Sequence, residues 1–432
     1  MARYLYSLIF YLITPFILLR LLYRAWKAPA YAARWLERFA FFPSRPLNKP
    51  IWVHAVSVGE TIAAAPLIKS LQQRYPDRDI VVTTMTPTGS ERVRALFGDS
   101  VFHVYAPYDL PGSVKRFLRK VKPETLIIME TELWPNIVHY TARSGIPVIL
   151  ANARLSERSA RGYQRVRFIA QPMLQALSRI VAQNAADAER FKLAGADDAS
   201  VVVSGSIKFD FSIDPSLEGK SQKLREQWGV TRPVWIAAST HQGEDQPALD
   251  VHKKLLKQWP NALLIIVPRH PERFKSVYQL CSSAGYKTAK RSANDLLDET
   301  VQVLLADTMG ELMLFYGAAD VAFVGGSLIE SGGHNPLEPA ALKMPVIMGP
   351  HVFNFEAICH ELSAAGGLKF VGSAELLAER VGEFFEDEVY REDVGLAASS
   401  VVEANRGALE RLLNEIDYEL QEYRVRHAHR KI

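Results

Sequence analysis

From residue 50 onward, short runs of β-branched and aliphatic residues alternate with longer stretches whose apolar positions recur every three or four residues. The short runs read as strands buried on both faces and the longer stretches as crossover helices, the pattern of parallel α/β sheets. In the first half the predicted strands are "IWVHAV", "IVVTTM", "VFHVY", "TLIIME", "PVILAN", "RIVAQN" and "VVVSGS". The stretch after the first of these, "TIAAAPLIKSLQQRY", sets Ile62, Ala65, Ile68 and Leu71 close to one helical face. Residues 206–232 are more polar and contain no strand-like run, after which a fresh series begins with "PVWIAAS", "ALLIIVP", "VQVLLAD", "DVAFVGG" and "PVIMG". The expected layout is an apolar N-terminal segment over 1–25, an α/β domain over 26–210, a linker over 211–232 and a second α/β domain over 233–432. Two doubly wound halves suit a chain of 432 residues, too long for one hydrophobic core, and would leave a cleft between them.

The N-terminal segment breaks this rhythm. Residues 4–19, "YLYSLIFYLITPFILL", are apolar and uncharged, and with Leu21 and Leu22 beyond Arg20 they approach the ~20 residues that a bilayer span needs. Arg3 stands on one side, and Arg20, Arg24, Lys27, Arg34 and Arg38 crowd the other, which by the positive-inside rule keeps the bulk of the chain cytoplasmic. No small-residue cleavage site follows, against a removed signal peptide. A single-pass anchor is expected; a buried or interfacial helix broken near Pro15 is the other reading, and both bring the chain to a membrane.

In open parallel sheets, ligands bind beyond the carboxyl ends of the strands. The predicted strands end on polar residues in just that way: Ser57, Gly59 and Glu60; Thr86, Thr88 and Gly89; Glu130, Thr131 and Glu132; Asn152 and Arg154; and Lys208. The second half repeats the habit with Ser239, Thr240, His241 and Glu244, then Arg269 and His270, then Met309, Gly310 and Glu311. Ser57 and Glu60 have the spacing of a capping box, the glutamate reaching back to the serine's own N–H. The same helix terminus is expected to keep the carboxylate ionised at neutral pH, where it can serve as a modest base. Glu130 and Glu132 follow an apolar run, so burial raises their pKa unless a cation such as Lys208 lies near. "TPTGSER" reads equally as an ordinary strand-to-helix turn or as an anion cradle. Arg269 is well placed for a phosphate. Residues 324–350 bring glycines that allow close backbone approach, and "NPLEPAALK" opens a helix able to face an anion.

Composition narrows the classes. A formal charge of +4 is too small to argue for nucleic acid, but residues 1–50 carry eight Lys or Arg against one acid, so that end meets something anionic. The two cysteines, Cys281 and Cys359, lie far apart without metal-ligand or disulfide-framework spacing, and no metal site is expected. Neither a G-x-G-x-x-G after a strand nor a G-x-x-x-x-G-K-[ST] occurs, which weakens dinucleotide and ATP-hydrolysis readings.

The stretches "HAVSVGE", "TTMTPTGSERV", "METELWPN", "NARLSERS", "GSIKFD", "VPRHPERF", "DTMGELM" and "GGHNPLEP", in that order over nearly the whole chain, resemble the 3-deoxy-D-manno-octulosonic acid (Kdo) transferases of Gram-negative bacteria. That resemblance implies a GT-B glycosyltransferase with two Rossmann-like domains facing a central cleft. The first would bind the acceptor, the second CMP-Kdo, with a final helix packing back on the first. It implies transfer of Kdo from CMP-Kdo to the tetraacylated lipid A precursor at the cytoplasmic face of the inner membrane, with no cofactor. By the same resemblance Glu60 is the general base, and Glu130 and Lys208 match transition-state-stabilising positions. CMP contacts match Pro268 and Arg269; Met309, Gly310 and Glu311; and Asn335, Pro336, Leu337 and Glu338. Lys208 suits either the Kdo carboxylate or the Glu130 side chain. The competing readings are a GT-B enzyme or epimerase using a UDP-sugar, and a membrane-anchored sugar-nucleotide-binding protein without chemistry.

Overall fold

The computed structural model describes residues 2–295 and 297–429 and divides the chain into two α/β units, one of residues 1–211 with 406–432 and one of residues 212–405.

In the first unit, β1 (Ile51–His54), β2 (Ile80–Thr84), β3 (Phe102–Tyr105), β4 (Thr125–Met129), β5 (Val148–Ala153), β6 (Arg179–Ala182) and β7 (Val201–Val203) form one sheet in the order β3-β2-β1-β4-β5-β6-β7. Every neighbouring pair is parallel. Successive residues of each strand point to opposite faces, so the apolar runs feed two cores. Trp52, Val81, Leu126, Ile128 and Leu150 fill one, and Ile51, Val53, Val82, Ile127 and Ile149 the other. The indole N–H of the fully buried Trp52 donates to Thr83 Oγ1 at 2.8 Å, so that ring brings no unpaired donor into the core. The helix Val58–Arg74 buries Thr61, Ala64, Ile68 and Leu71, whereas Ile62 is exposed. The buried stripe therefore starts one residue earlier than the apolar spacing suggested, because alanine and threonine, not only the bulky residues, meet the sheet.

The C-terminal helix Ala408–His429 belongs to this unit and covers the second core with Leu412, Leu413, Ile416 and Leu420. Its start is tied by Asp210, whose carboxylate accepts the Gly407 N–H at 2.6 Å. The N-terminal helix Ala2–Lys27 is long and apolar enough to cross a bilayer and little of it is buried.

The second unit repeats the architecture with β8 (Val234–Thr240), β9 (Leu263–Pro268), β10 (Thr288–Lys290), β11 (Val303–Leu305), β12 (Val321–Val324), β13 (Val346–Met348) and β14 (Leu368–Phe370), ordered β10-β11-β9-β8-β12-β13-β14 and parallel throughout. The edge strands β10 and β14 were not anticipated; "TAK" and "LKF" are too short and too polar to register as strands. The polar stretch 211–232 is not a bare linker either. It carries the helix Leu217–Trp228, whose Leu217, Ser221, Leu224 and Trp228 lie on one buried face, and Leu224 and Trp228 join the core under β8. One apolar residue every three or four is enough to dock a helix that is otherwise charged.

In each sheet the chain reverses direction of growth between two adjacent strands, β1 and β4 in the first and β8 and β12 in the second. Loops leaving those strands splay apart and open a crevice at their carboxyl ends.

Candidate active site

At the switch point of the first sheet, β1 runs into Ser57, which caps the helix Val58–Arg74 in extended conformation. The Ser57 hydroxyl accepts the Glu60 N–H at 3.3 Å and donates to Glu60 Oε1 at 3.0 Å. The capping box differs from expectation in its return bond: Glu60 Oε2 accepts the N–H of Val56 at 2.8 Å, one residue before the serine. Nor does the helix terminus hold Glu60 in the ordinary carboxylate range. Burial pushes its pKa up to about 7; the Val56 and Ser57 hydrogen bonds oppose this, and Glu132 and Glu130 add repulsion. A carboxylate poised there is a far better proton acceptor at neutral pH than the modest base foreseen.

The adjacent strand β4 ends on Glu130, a non-glycine residue held at a φ of 55°, in the left-handed region. Such a conformation survives only where surroundings fix it, here by the Glu130 N–H donating to Ala151 O at 2.9 Å. It turns the side chain toward two cations, with Arg154 Nε 3.0 Å from Oε2 and Lys208 Nζ 4.0 Å from Oε1. Lys208 is placed by a short 3-10 turn, Ile207–Phe209, capped by Ser206 and pinned where the Ile207 N–H donates to Asn152 Oδ1 at 3.2 Å. Asn152 is itself at a φ of 51°, in a bulge of β5. Burial lowers the Lys208 pKa, Glu130 counteracts this, and Arg154 reinforces it. Glu132 accepts a hydrogen bond from the Trp134 indole at 3.3 Å, and its pKa is raised by burial, with repulsion from Glu130 adding to it. The rim thus holds one carboxylate paired with cations beside another, Glu60, that among the described residues only a backbone N–H and a hydroxyl support. "TPTGSER" resolves as a helix start, Thr86 Oγ1 accepting the Gly89 N–H at 3.1 Å.

In the second unit Glu244 is fully buried at the switch point, and its carboxylate accepts N–H bonds from His241 at 3.0 Å, Gly326 at 2.7 Å, and Ser327 and Leu328 at 3.1 Å each. The glycine-rich loop after β12 therefore spends these N–H groups on a protein carboxylate rather than leaving them open as an anion cradle. A Cβ on Gly325 would lie 2.8 Å from Ser239 O, so only glycine passes so close to β8. The helix predicted from "NPLEPAALK" has only five residues, Leu337–Ala341, and Asn335 Oδ1 already accepts the Leu337 N–H at 3.1 Å. With prolines at 336 and 339, this turn offers an anion fewer donors than a full helix start.

Pro268 ends β9, and the Arg269 side chain that follows is exposed, its guanidinium bound by no ion pair among the described residues. Arg273 is committed elsewhere, to Thr240 O at 2.6 Å and to the Asp245 carboxylate. Glu338 feels burial, which raises its pKa, against the Asn335 hydrogen bond and the charge of Arg269. After β11, Met309 is exposed, Gly310 sits at a φ of 87°, and Glu311 is held below its usual range by Arg291 at 2.7 Å. These groups line the ends of β11, β9 and β12, with β8 between them.

Arg154, Glu132, His241 and Glu244 stand at strand ends in the sequence, but the sequence alone assigns them no role. Nor does it show the pairing of His241 with His334, whose Nε2 atoms lie 2.7 Å apart with the rings stacked at 6°. Burial, then Arg269, lower the His334 pKa to about 4, and burial also lowers that of His241. Ninety-three residues of chain separate them, and no local pattern could have joined them.

Two doubly wound α/β units of this kind are the GT-B architecture, and the match of residues 246–401 to the family described as glycosyl transferases group 1 makes the chain a glycosyltransferase of that fold. Residues 33–211 match the family of 3-deoxy-D-manno-octulosonic-acid transferases. Relatives described as 3-deoxy-D-manno-octulosonic acid transferase include that of Haemophilus influenzae, 47% identical over 96% of this chain and 98% of its own, and that of Bordetella pertussis, 35% identical over 86% and 88%. The chain belongs to the Kdo transferase family and is a glycosyltransferase. Among solved structures, a putative UDP-N-acetylglucosamine 2-epimerase from Listeria monocytogenes superposes with a TM-score of 0.55 at 14% identity, covering 87% of this chain and 97% of its own. At that identity the likeness speaks for the fold alone.

Proposed function

We propose that this Kdo transferase moves Kdo from CMP-Kdo to the tetraacylated lipid A precursor at the cytoplasmic face of the inner membrane, by an inverting single displacement. The observation that carries the mechanism is Glu60, a buried carboxylate with a pKa pushed up to about 7 at the switch point of the first sheet. Glu60 takes the proton of an acceptor hydroxyl as that oxygen forms a bond to the anomeric carbon of Kdo. The bond from that carbon to the phosphate oxygen breaks, and CMP leaves with the electron pair. The sugar becomes oxocarbenium-like in passing, and the Glu130 carboxylate with Lys208 and Arg154 supplies a fixed charge array against which that change is stabilised.

Acceptor activation falls to the first unit and donor holding to the second. Pro268 and Arg269, Met309 to Glu311, and Asn335 to Glu338 are the proposed CMP contacts, with the exposed Arg269 guanidinium meeting the phosphate. No cofactor enters this scheme. The N-terminal helix and its basic flank attach the enzyme to the membrane that carries the acceptor.

Purified full-length protein incubated with CMP-Kdo and the lipid A precursor should yield lipid heavier by one or two Kdo units, and UDP-sugars should give no product. Transfer from a UDP-sugar in place of CMP-Kdo would refute the donor, and no transfer at all would favour a binding protein without chemistry.

A further inference from the structure

The first turns of the N-terminal helix are fastened to the first unit, and the chain is fastened to it again about ten residues after the helix ends. In those first turns the Arg3 guanidinium donates to Asn136 Oδ1 at 3.0 Å and to the Tyr140 hydroxyl at 3.1 Å. Ser7, the one buried residue of the helix, exchanges hydrogen bonds with the Asn136 side chain at 3.1–3.2 Å. Tyr6 is hydrogen-bonded to the Asp109 carboxylate, and the Phe10 ring meets Trp134 edge-on at 6.4 Å. Asn136 is itself fixed, its N–H bonded to Asp109 Oδ2 at 2.9 Å, so these partners form part of the rigid unit. Beyond the other end of the helix, Glu37 accepts the Tyr105 N–H at 2.9 Å and Arg38 O accepts the Tyr108 N–H at 2.7 Å. Within about ten residues of Lys27 the chain is already bonded to the end of β3.

A 26-residue helix is about 39 Å long at ~1.5 Å per residue, and the hydrocarbon core is about 30 Å thick. Were the helix to span the bilayer with its Lys27 end at this unit, Arg3 would lie beyond the opposite interface. It could not then reach Asn136. The two sets of contacts are compatible only with both ends on one side.

The pattern of cover along the helix agrees. Arg3, Tyr6, Ser7, Phe10, Thr14, Ile17, Leu18, Leu21 and Ala25 are covered or partly covered, a stripe that returns every three or four residues, while Leu5, Leu8, Leu12, Phe16, Leu19 and Trp26 are exposed. Beside the first turn opens a cavity of about 1000 Å³ whose charged lining, Arg3, Lys115, Arg119, Lys122 and Arg143, is entirely cationic. An apolar helix face next to a groove of cations matches a lipid surface with anionic headgroups.

We propose that the helix Ala2–Lys27 lies in the membrane interface along the first unit, with both ends on the same side, rather than spanning as the single-pass anchor expected from its composition. The acidic lipid headgroups sit in the groove at its first turn. This rests on the membrane attachment proposed above but not on the reaction, so transfer measured in detergent, where no bilayer orients the helix, tests the enzymatic reading separately.

The experiment uses the full chain in intact cells, where both native cysteines are buried. An Ala2→Cys variant treated with a membrane-impermeant maleimide from outside should remain unlabelled until the inner membrane is opened. Labelling of intact spheroplasts would overturn the proposal. Because an unlabelled cysteine can also be a hidden one, Ser7→Cys with Asn136→Cys is treated in native membranes with a short bis-maleimide; an intramolecular cross-link is expected, and its absence in protein that retains transferase activity would count against same-side docking. Reversing two cations of the groove, Lys115→Glu with Arg119→Glu, should weaken binding to phosphatidylglycerol vesicles by roughly tenfold or more while leaving binding to phosphatidylcholine vesicles unchanged. Equal losses on both vesicles would remove the headgroup site.

Discussion

Glu60 and Glu244 occupy matching places, each in the first turn after the strand that begins its sheet's switch point, and each accepts hydrogen bonds from backbone N–H groups. Their surroundings make them different chemical objects. Glu244 receives four N–H groups from two loops and is wholly buried, and it clamps the end of β8 to the glycine-rich loop. Glu60 receives one N–H and one hydroxyl, and two further carboxylates stand near. Desolvation without enough donors leaves its proton loosely settled, as proton transfer near neutral pH requires. Both carboxylates are buried, and they differ in how many donors reach them: four N–H groups at Glu244, one N–H and one hydroxyl at Glu60.

The contrast can be broken first at Glu60. Replacing Glu60→Gln should cut transfer by roughly 10²–10⁴-fold while the protein stays folded, as single-turnover kinetics beside a thermal melt would show; near-normal turnover would rule out the base. In the unsubstituted enzyme, kcat/KM should rise with pH through about 7 as Glu60 deprotonates. Stability should run the other way. The folded pKa lies above the ordinary 4.5, so the folded state binds more protons in that window and this group lowers stability as pH climbs from about 4.5 to about 7. Chemical denaturation of Glu60→Gln across that window should show the slope flattened.

At Glu244 the expected loss is one of folding. Glu244→Gln points an amide donor at backbone N–H groups and should cost on the order of 2–4 kcal/mol in urea denaturation; a loss below about 0.5 kcal/mol would refute the clamp. A subtler change sharpens the Glu60 side. Glu132→Gln removes a like charge, favours the ionised form of Glu60, and should move the acid limb of the rate profile to lower pH by less than about one unit. The smallest effect is expected from Arg154→Ala: its side chain is 48% exposed, so losing the pair with Glu130 should change stability by no more than about 1 kcal/mol in the same denaturation assay.

Much of the fold was legible because a buried parallel strand must be apolar on both faces, and such runs stand out from charged helices. All seven strands of the first sheet were readable in this way, as were five of the second. What escaped obeys the same logic in reverse. β10 and β14 lie at sheet edges, each pairs with one neighbour, and neither needs a continuous apolar run. The helix Leu217–Trp228 was hidden because only one of its faces is buried and the others are charged. At the rim, strand-end position gathered Glu60, Glu130 and Lys208 among many other polar residues, the family resemblance set those three apart, and the structure brings Lys208 to Glu130. The capping spacing of Ser57 and Glu60 was also visible, but not the partner of the return bond, since Val56 and Ser57 both present an N–H within a residue of each other.

The sequence by itself determined the two parallel sheets, the rim on which polar residues collect, the apolar N-terminal helix and, through eight ordered motifs, the family. Those are properties of local pattern, set by which residues a strand or helix can bury. Only the tertiary structure decided how many N–H groups reach each buried carboxylate, and how far burial raises the pKa of Glu60. It also decided that Arg3 meets Asn136 across 133 residues of chain, which turns a helix of membrane-spanning length into one held along a domain face. Charge and topology both depend on what a group touches, and contacts between distant parts of a chain exist only once it has folded.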